Sequence, residues 1–134
     1  MITKKLGEIV ELKFQLKCFE LGLIVSKPFG DSTYYDFILD NGHDLYRIQI
    51  KSTNYLETAN RMNGYRFAML RGCNKKTLYT DKEVDFIVGY VTPKNIWYIF
   101  PISKILGIGT IRVYPHKENS GSYEFYRERW ELIK

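Results

Sequence analysis

Two runs of alternating apolar and polar residues, 33–40 and 45–53, flank the tetrapeptide Asn41-Gly42-His43-Asp44. A period of two is the mark of a half-buried strand, and an Asn-Gly turn between two such runs predicts an antiparallel hairpin. This feature constrains the fold most, because it decides which side chains share a face. Along the first run Asp36, Ile38 and Asp40 point one way and Tyr35, Phe37 and Leu39 the other. Along the second, Arg47, Gln49 and Lys51 oppose Tyr46, Ile48 and Ile50. A four-residue loop sets Leu45 opposite Asp40 and Gln49 directly opposite Asp36; a two-residue turn makes the latter pair diagonal neighbours. Either loop places Asp36, Gln49 and Lys51 on one side of the sheet, within side-chain reach.

The rest of the chain supplies a framework for that hairpin. Residues 3–21 predict a helix whose Leu6, Ile9, Val10, Leu12, Phe14, Leu16, Phe19 and Leu21 form one wide apolar face, with Gly22 as its stop. Residues 23–27 predict a short strand ended by Pro28, and Gly30-Asp31-Ser32 a turn. Further strands are expected at 65–70, 84–92, 95–100 and 111–114, and a closing helix at 122–133. At 134 residues with 45% apolar composition, the chain is expected to form a single domain, residues 1–134, with a core at 3–100. The fold class is α+β: an N-terminal helix packed on a central mixed sheet, with a C-terminal helix. No apolar run approaches the roughly 20 residues of a membrane span, and no signal-peptide pattern opens the chain, so a cytoplasmic protein with no membrane partner is expected. Cys18 and Cys73 stand isolated, without metal-ligand spacing, and read as reduced packing residues.

An acid, an amide and an ammonium gathered among apolar residues admit two readings. They can be the solvated face of an antiparallel sheet, with Asp36 and Lys51 paired. They can also form a divalent-metal site for phosphodiester cleavage, Asp36 and the Gln49 side-chain oxygen being hard ligands of the kind Mg²⁺ takes. Lys51 would then orient or deprotonate the attacking water and offset charge on the phosphate.

The run Gly7…Glu11…Gly22-Leu-Ile-Val-Ser-Lys-Pro28…Tyr35-Asp36-Phe-Ile-Leu…Ile48-Gln49-Ile50-Lys51 resembles the PD-(D/E)XK nuclease superfamily. Within it the run is most similar to the homing endonucleases of bacterial group I introns, and more distantly to archaeal Holliday-junction resolvases. The resemblance covers residues 5–53, with an echo at Val84-Asp85-Phe86, and implies a restriction-endonuclease-like fold. It places the family's helix acid on Glu11, with Glu8 as fallback, its Asp on Asp36, its (D/E) position on Gln49 and its Lys on Lys51. It further implies a metal set of Asp36, Gln49, the Ile50 carbonyl and Glu11, with Mg²⁺ or Mn²⁺ as cofactor. The implied activity is metal-dependent, sequence-specific cleavage of double-stranded DNA by an intron-encoded enzyme. The same resemblance leaves a junction resolvase, a restriction-type nuclease or an inactive DNA-binding relative as alternatives. The sequence departs from the family pattern twice: Pro28 lies far upstream of Asp36, and position 49 is an amide instead of an acid, which removes one negative charge from the ligand set.

A net charge of +5 favours a polyanionic partner. Between residues 54 and 79 Arg61, Arg66, Arg71, Lys75 and Lys76 stand against the single acid Glu57, interspersed with asparagines that can contact phosphates and base edges. These five are the expected DNA-binding residues, a solvated loop being the plainer reading. Cutting both strands with one small site per chain calls for a homodimer or homotetramer. His43 and His116 read as turn residues, while Arg127, Arg129 and Trp130 suit packing or an oligomer contact equally.

Overall fold

A computed structural model describes residues 3–58, 63–72, 74–118 and 121–134. Helix α1 (Thr3–Glu20) leads into the strands β1 (Ile24–Ser26), β2 (Phe37–Asp40) and β3 (Leu45–Thr53). The chain then crosses over through the short strands β4 (Tyr65–Ala68), β5 (Leu70–Arg71) and β6 (Thr77–Leu78). It returns as β7 (Phe86–Val91) and β8 (Ile96–Pro101) and ends beyond β9 (Thr110–Val113). The main sheet has the order β1-β2-β3-β7-β8, and its one parallel pairing, β3 with β7, makes it mixed. β9 pairs with β4, and β5 with β6, outside that sheet. The expected α+β architecture, a helix on a mixed sheet, is what forms. None of the described helices is long and apolar enough to cross a membrane.

The strand pattern explains the two cores. β7 (FIVGYV) is buried at every position because it lies inside the sheet with both faces covered. On one face Phe86, Val88 and Tyr90 join Phe37, Leu39, Ile48 and Ile50 beneath Val10, Phe14 and Cys18 of α1. On the other, Ile87 and Val91 join Phe67, Met69, Tyr98, Phe100 and Ile111. Gly89 is required there: a Cβ would lie 2.7 Å from the Phe67 ring. Burial pushes the Cys18 thiol up to about 12, which suits an inert packing residue. Cys73 lies outside the described residues. Asp85 ties the parallel pair together, accepting from the Arg47 N–H at 2.7 Å and from its guanidinium at 3.1 Å. Burial would raise the Asp85 carboxyl, but these bonds hold it below its ordinary value.

Two expectations need correction. The apolar residues of α1 do not form one face. Val10, Phe14 and Cys18 point inward, whereas Leu12, Leu16 and Phe19 lie on the solvent side. The closing segment is not an α-helix either, but two 3₁₀ turns, Glu124–Tyr126 and Trp130–Leu132. Between them Arg127 bridges to Tyr98 on β8, the Glu128 N–H donates to the Trp97 carbonyl at 2.8 Å, and Glu128 adopts φ 53°. Pairing with the sheet edge outweighs the helical propensity of this Glu- and Arg-rich run. Trp130 is buried against Phe14 and Trp97, so it packs. His116 packs edge-on to Tyr65.

Candidate active site

The hairpin adopts the four-residue loop. Asp40 is opposite Leu45 and Phe37 opposite Ile48. The Asn41 side chain holds the turn by accepting from the His43 and Asp44 N–H groups at 2.9 and 2.7 Å, and Gly42 supplies φ 89°. The pairing runs one residue beyond β2: the Asp36 N–H donates to the Ile48 carbonyl at 2.8 Å, and Asp36 Oδ2 accepts from the Ile50 N–H at 2.8 Å. Asp36 is thereby clamped across from Gln49. The Gln49 amide NH₂ donates to the Ile50 carbonyl at 3.3 Å, leaving Oε1 as a hard oxygen donor.

Lys51 lies on the same side. Its ammonium donates to the Leu70 carbonyl at 2.9 Å and stands 5.2 Å from the centre of the Tyr79 ring. Burial pushes the Lys51 pKa down, the charge of Asp36 opposes this, and Lys76 reinforces it. Burial likewise raises the Asp36 carboxyl; the Ile50 N–H opposes it, Glu11 adds to it, and Lys27 and Lys51 draw it back. Glu11 therefore reaches Asp36 electrostatically from α1, and its own carboxylate is ion-paired with Lys27, whose ammonium also lies 4.9 Å from the Phe37 ring centre. An open groove lined by Glu8, Glu11, Lys27, Tyr35 and Asp36 leads to this spot.

A PD-(D/E)XK endonuclease family model matches residues 1–133. The chain belongs to that family. The PD-(D/E)XK match thus extends well past the residues 5–53 in which the sequence motif is visible. Among solved structures the chain is similar to a bacterial homing endonuclease, I-Ssp6803I, at 26% identity and a TM-score of 0.85, with 99% of this chain and 93% of that one covered. No curated protein matches.

As a PD-(D/E)XK endonuclease, the chain sets Asp36 across from Gln49, bonded to the Ile50 N–H and on the Lys51 side at the open end of the hairpin, with Glu11 of α1 lining the adjoining groove and Glu8 exposed on its wall. Among the described residues no three of His, Cys, Asp and Glu gather as a metal cluster. This is the structural counterpart of glutamine at position 49. The oxygen set that remains, two carboxylates with an amide and a main-chain carbonyl, is hard and sparse. It fits a cation of the Mg²⁺ or Mn²⁺ type that keeps several waters.

The basic residues of the crossover are dispersed. Arg61 lies outside the described residues. Arg66 is exposed on β4 but ion-paired with Glu57 at 3.0 Å, which also binds Arg112 at 2.7 Å. Arg71 pairs with Glu83 at 2.8 Å and stacks its guanidinium 4.2 Å above Tyr34. Lys75 and Lys76 are exposed in the turn between β5 and β6. Sequence reasoning did not single out Lys27, Tyr79 or the Leu70 carbonyl. Lys27 stands inside the family-like run 22–28, a usable signal; Tyr79 and Leu70 carry none.

Proposed function

We propose that this chain is a divalent-metal-dependent endonuclease that hydrolyses phosphodiester bonds at a specific site in double-stranded DNA, in the service of intron homing. The observation that carries the reading is the main-chain clamp on Asp36, which holds a carboxylate against the Gln49 amide, Lys51 and, across the groove, Glu11. The likeness to a bacterial homing endonuclease supports the biological role. Asp36, Glu11, Gln49 Oε1 and the Ile50 carbonyl would hold the cation. When bound, it supplies Lewis-acid charge on the scissile phosphate.

The chain's own groups do the rest. As an ammonium Lys51 has three N–H donors and gives one to Leu70, so two remain for a phosphate oxygen and the water beside it. Burial lowers its pKa, so the ammonium more readily gives up a proton to solvent before the reaction. The neutral amine keeps an N–H for the Leu70 carbonyl and offers its lone pair to the water's proton as the oxygen attacks phosphorus. Asp36 is kept from turning away by the Ile50 N–H, so its second oxygen stays presented to the groove. One such site cuts one strand, so a homodimer or homotetramer delivers the double-strand break.

A plasmid that carries the recognition site, incubated with the protein and Mg²⁺ or Mn²⁺, is expected to be linearised, and Lys51→Ala is expected to lower the rate by at least about 10³. DNA binding without cleavage in either metal would instead mark an inactive DNA-binding relative, the reading favoured by glutamine at position 49. Cleavage of branched DNA alone would mark a junction resolvase.

A further inference from the structure

Helix α1 carries a second apolar stripe on the side away from the sheet. Leu12, Leu16 and Phe19 follow i, i+4, i+7 spacing and are 64%, 61% and 82% exposed. The stripe continues across a groove to Ile24, 65% exposed, on β1, the edge strand of the main sheet. A solitary exposed leucine needs no explanation; a contiguous stripe does. These four residues expose on the order of 500 Å² of largely apolar surface, toward the upper end of the roughly 300–600 Å² that the largest patch of a monomer spans, a size that often marks a functional surface. That is more than half of the roughly 800 Å² each partner gives to a standard interface.

We propose that this face docks a second copy of the same chain, with α1 packed antiparallel on its counterpart about Leu16. The choice of a second copy rests in part on the nuclease reading, since each chain offers one site and a duplex has two strands. Two further observations favour it. The first is charge. In an antiparallel pair centred on residue 16, positions whose numbers sum to about 32 lie level, which sets Lys13 beside Glu20 of the partner subunit on both sides of the axis. Glu20 is exposed, and Lys13, which donates to Tyr90 Oη, keeps further donors. The second is position. The stripe begins at Leu12, next to Glu11. With a 1.5 Å rise per residue and helix axes 8–10 Å apart, the two Glu11 Cα atoms fall roughly 17 Å apart. The stripe thereby brings the helix acids of the two sites near each other across the axis.

Sedimentation equilibrium of the free protein, without DNA or metal, tests this. The wild type is expected to have at least twice the chain mass, and Leu16→Glu or Phe19→Glu is expected to halve the assembly with unchanged circular dichroism. Ile24→Lys on β1 serves if a helix variant fails to fold. Glu20→Lys is expected to weaken association about tenfold, and the double variant Lys13→Glu/Glu20→Lys to restore it. A wild-type monomer at 100-micromolar-order concentration overturns the proposal. So does an assembly indifferent to Leu16→Glu and Phe19→Glu, or one formed only with a different protein. Because the readout is mass, an inactive nuclease leaves it legible. A monomeric wild type that still cuts both strands overturns the docking face alone. Dissociated variants that nick one strand where the wild type cuts two support it.

Discussion

In the β2–β3 hairpin Asp36 is held by the Ile50 N–H and Lys51 by the Leu70 carbonyl, whereas in the crossover Arg66 is held by Glu57 and Arg71 by Glu83. Neutral main-chain atoms position Asp36 and Lys51, so their charges are oriented but not neutralised, unlike Arg47 on the same hairpin, which is paired with Asp85. The crossover neutralises Arg66 and Arg71 in side-chain pairs. A group of the first kind costs stability and is ready for a ligand; a group of the second kind has already found its partner. The contrast separates the residues that act on a phosphate from those that hold the fold.

The largest effect expected from breaking this contrast is at Asp36. Asp36→Asn keeps an oxygen for the Ile50 N–H and removes the charge. Cleavage should fall by at least about 10³, while the protein becomes more stable by on the order of 1 kcal/mol, a rise of a few degrees in Tm. The sign follows from the shift. The folded pKa of Asp36 lies above its unfolded value, so relative stability is greatest at acid pH and is lost as pH rises through the folded pKa. The gain from Asp36→Asn should therefore shrink on acidification, when the wild-type carboxyl is protonated too. Lys51→Met follows the same logic with opposite charge, its lowered pKa making the buried ammonium a cost at neutral pH. Thermal melts of both variants from pH 4 to 8 provide the check, and a Tm below wild type at pH 7 would refute it.

Arg71→Ala sharpens the other side. Its guanidinium is shared between Glu83 and the Tyr34 ring. The expected result is a loss of about 1 kcal/mol in stability with an unchanged salt slope for DNA binding. A slope reduced by about one would instead place Arg71 on a phosphate.

How much of this was legible beforehand depended on range. The hairpin and the shared face of Asp36, Gln49 and Lys51 could be read because a period-two pattern about a turn is local. The loop length, two residues or four, could not, and the four-residue loop of the structure is what sets Asp36 opposite Gln49. The helix was legible as a helix, but residue type could not say which apolar stripe faced inward, since Leu12 and Leu16 are chemically as fit for a core as Val10. The closing segment misled for a related reason: its composition favours a helix, while its conformation is set by Trp97 and Tyr98, some thirty residues earlier. The Leu70 carbonyl and the Tyr79 ring reach Lys51 through a crossover whose path no local pattern announces. Glu57 was read as the lone acid in a basic stretch, with no sign that it would take up two arginines.

That last point yields the smallest effect and the finest test of the contrast. Glu57 sits between Arg66 and Arg112, which face each other across β4 and β9, and their hydrogen bonds lower its pKa. If pairing is what silences the crossover arginines, Glu57→Gln should release them without disturbing the hairpin. DNA affinity is then expected to rise by a few-fold at low salt, and the slope of log K against log salt to steepen by about one to two, as each freed guanidinium displaces a counterion. The cleavage rate at saturating protein should stay as it was, because neither arginine touches Asp36 or Lys51. Fluorescence anisotropy across a salt series, beside single-turnover cleavage, reads the two quantities separately. An unchanged slope would mean that this ribbon faces away from the duplex, and the basic surface would then have to be sought around Lys75 and Lys76, whose exposed turn lies on the Lys51 side of the sheet.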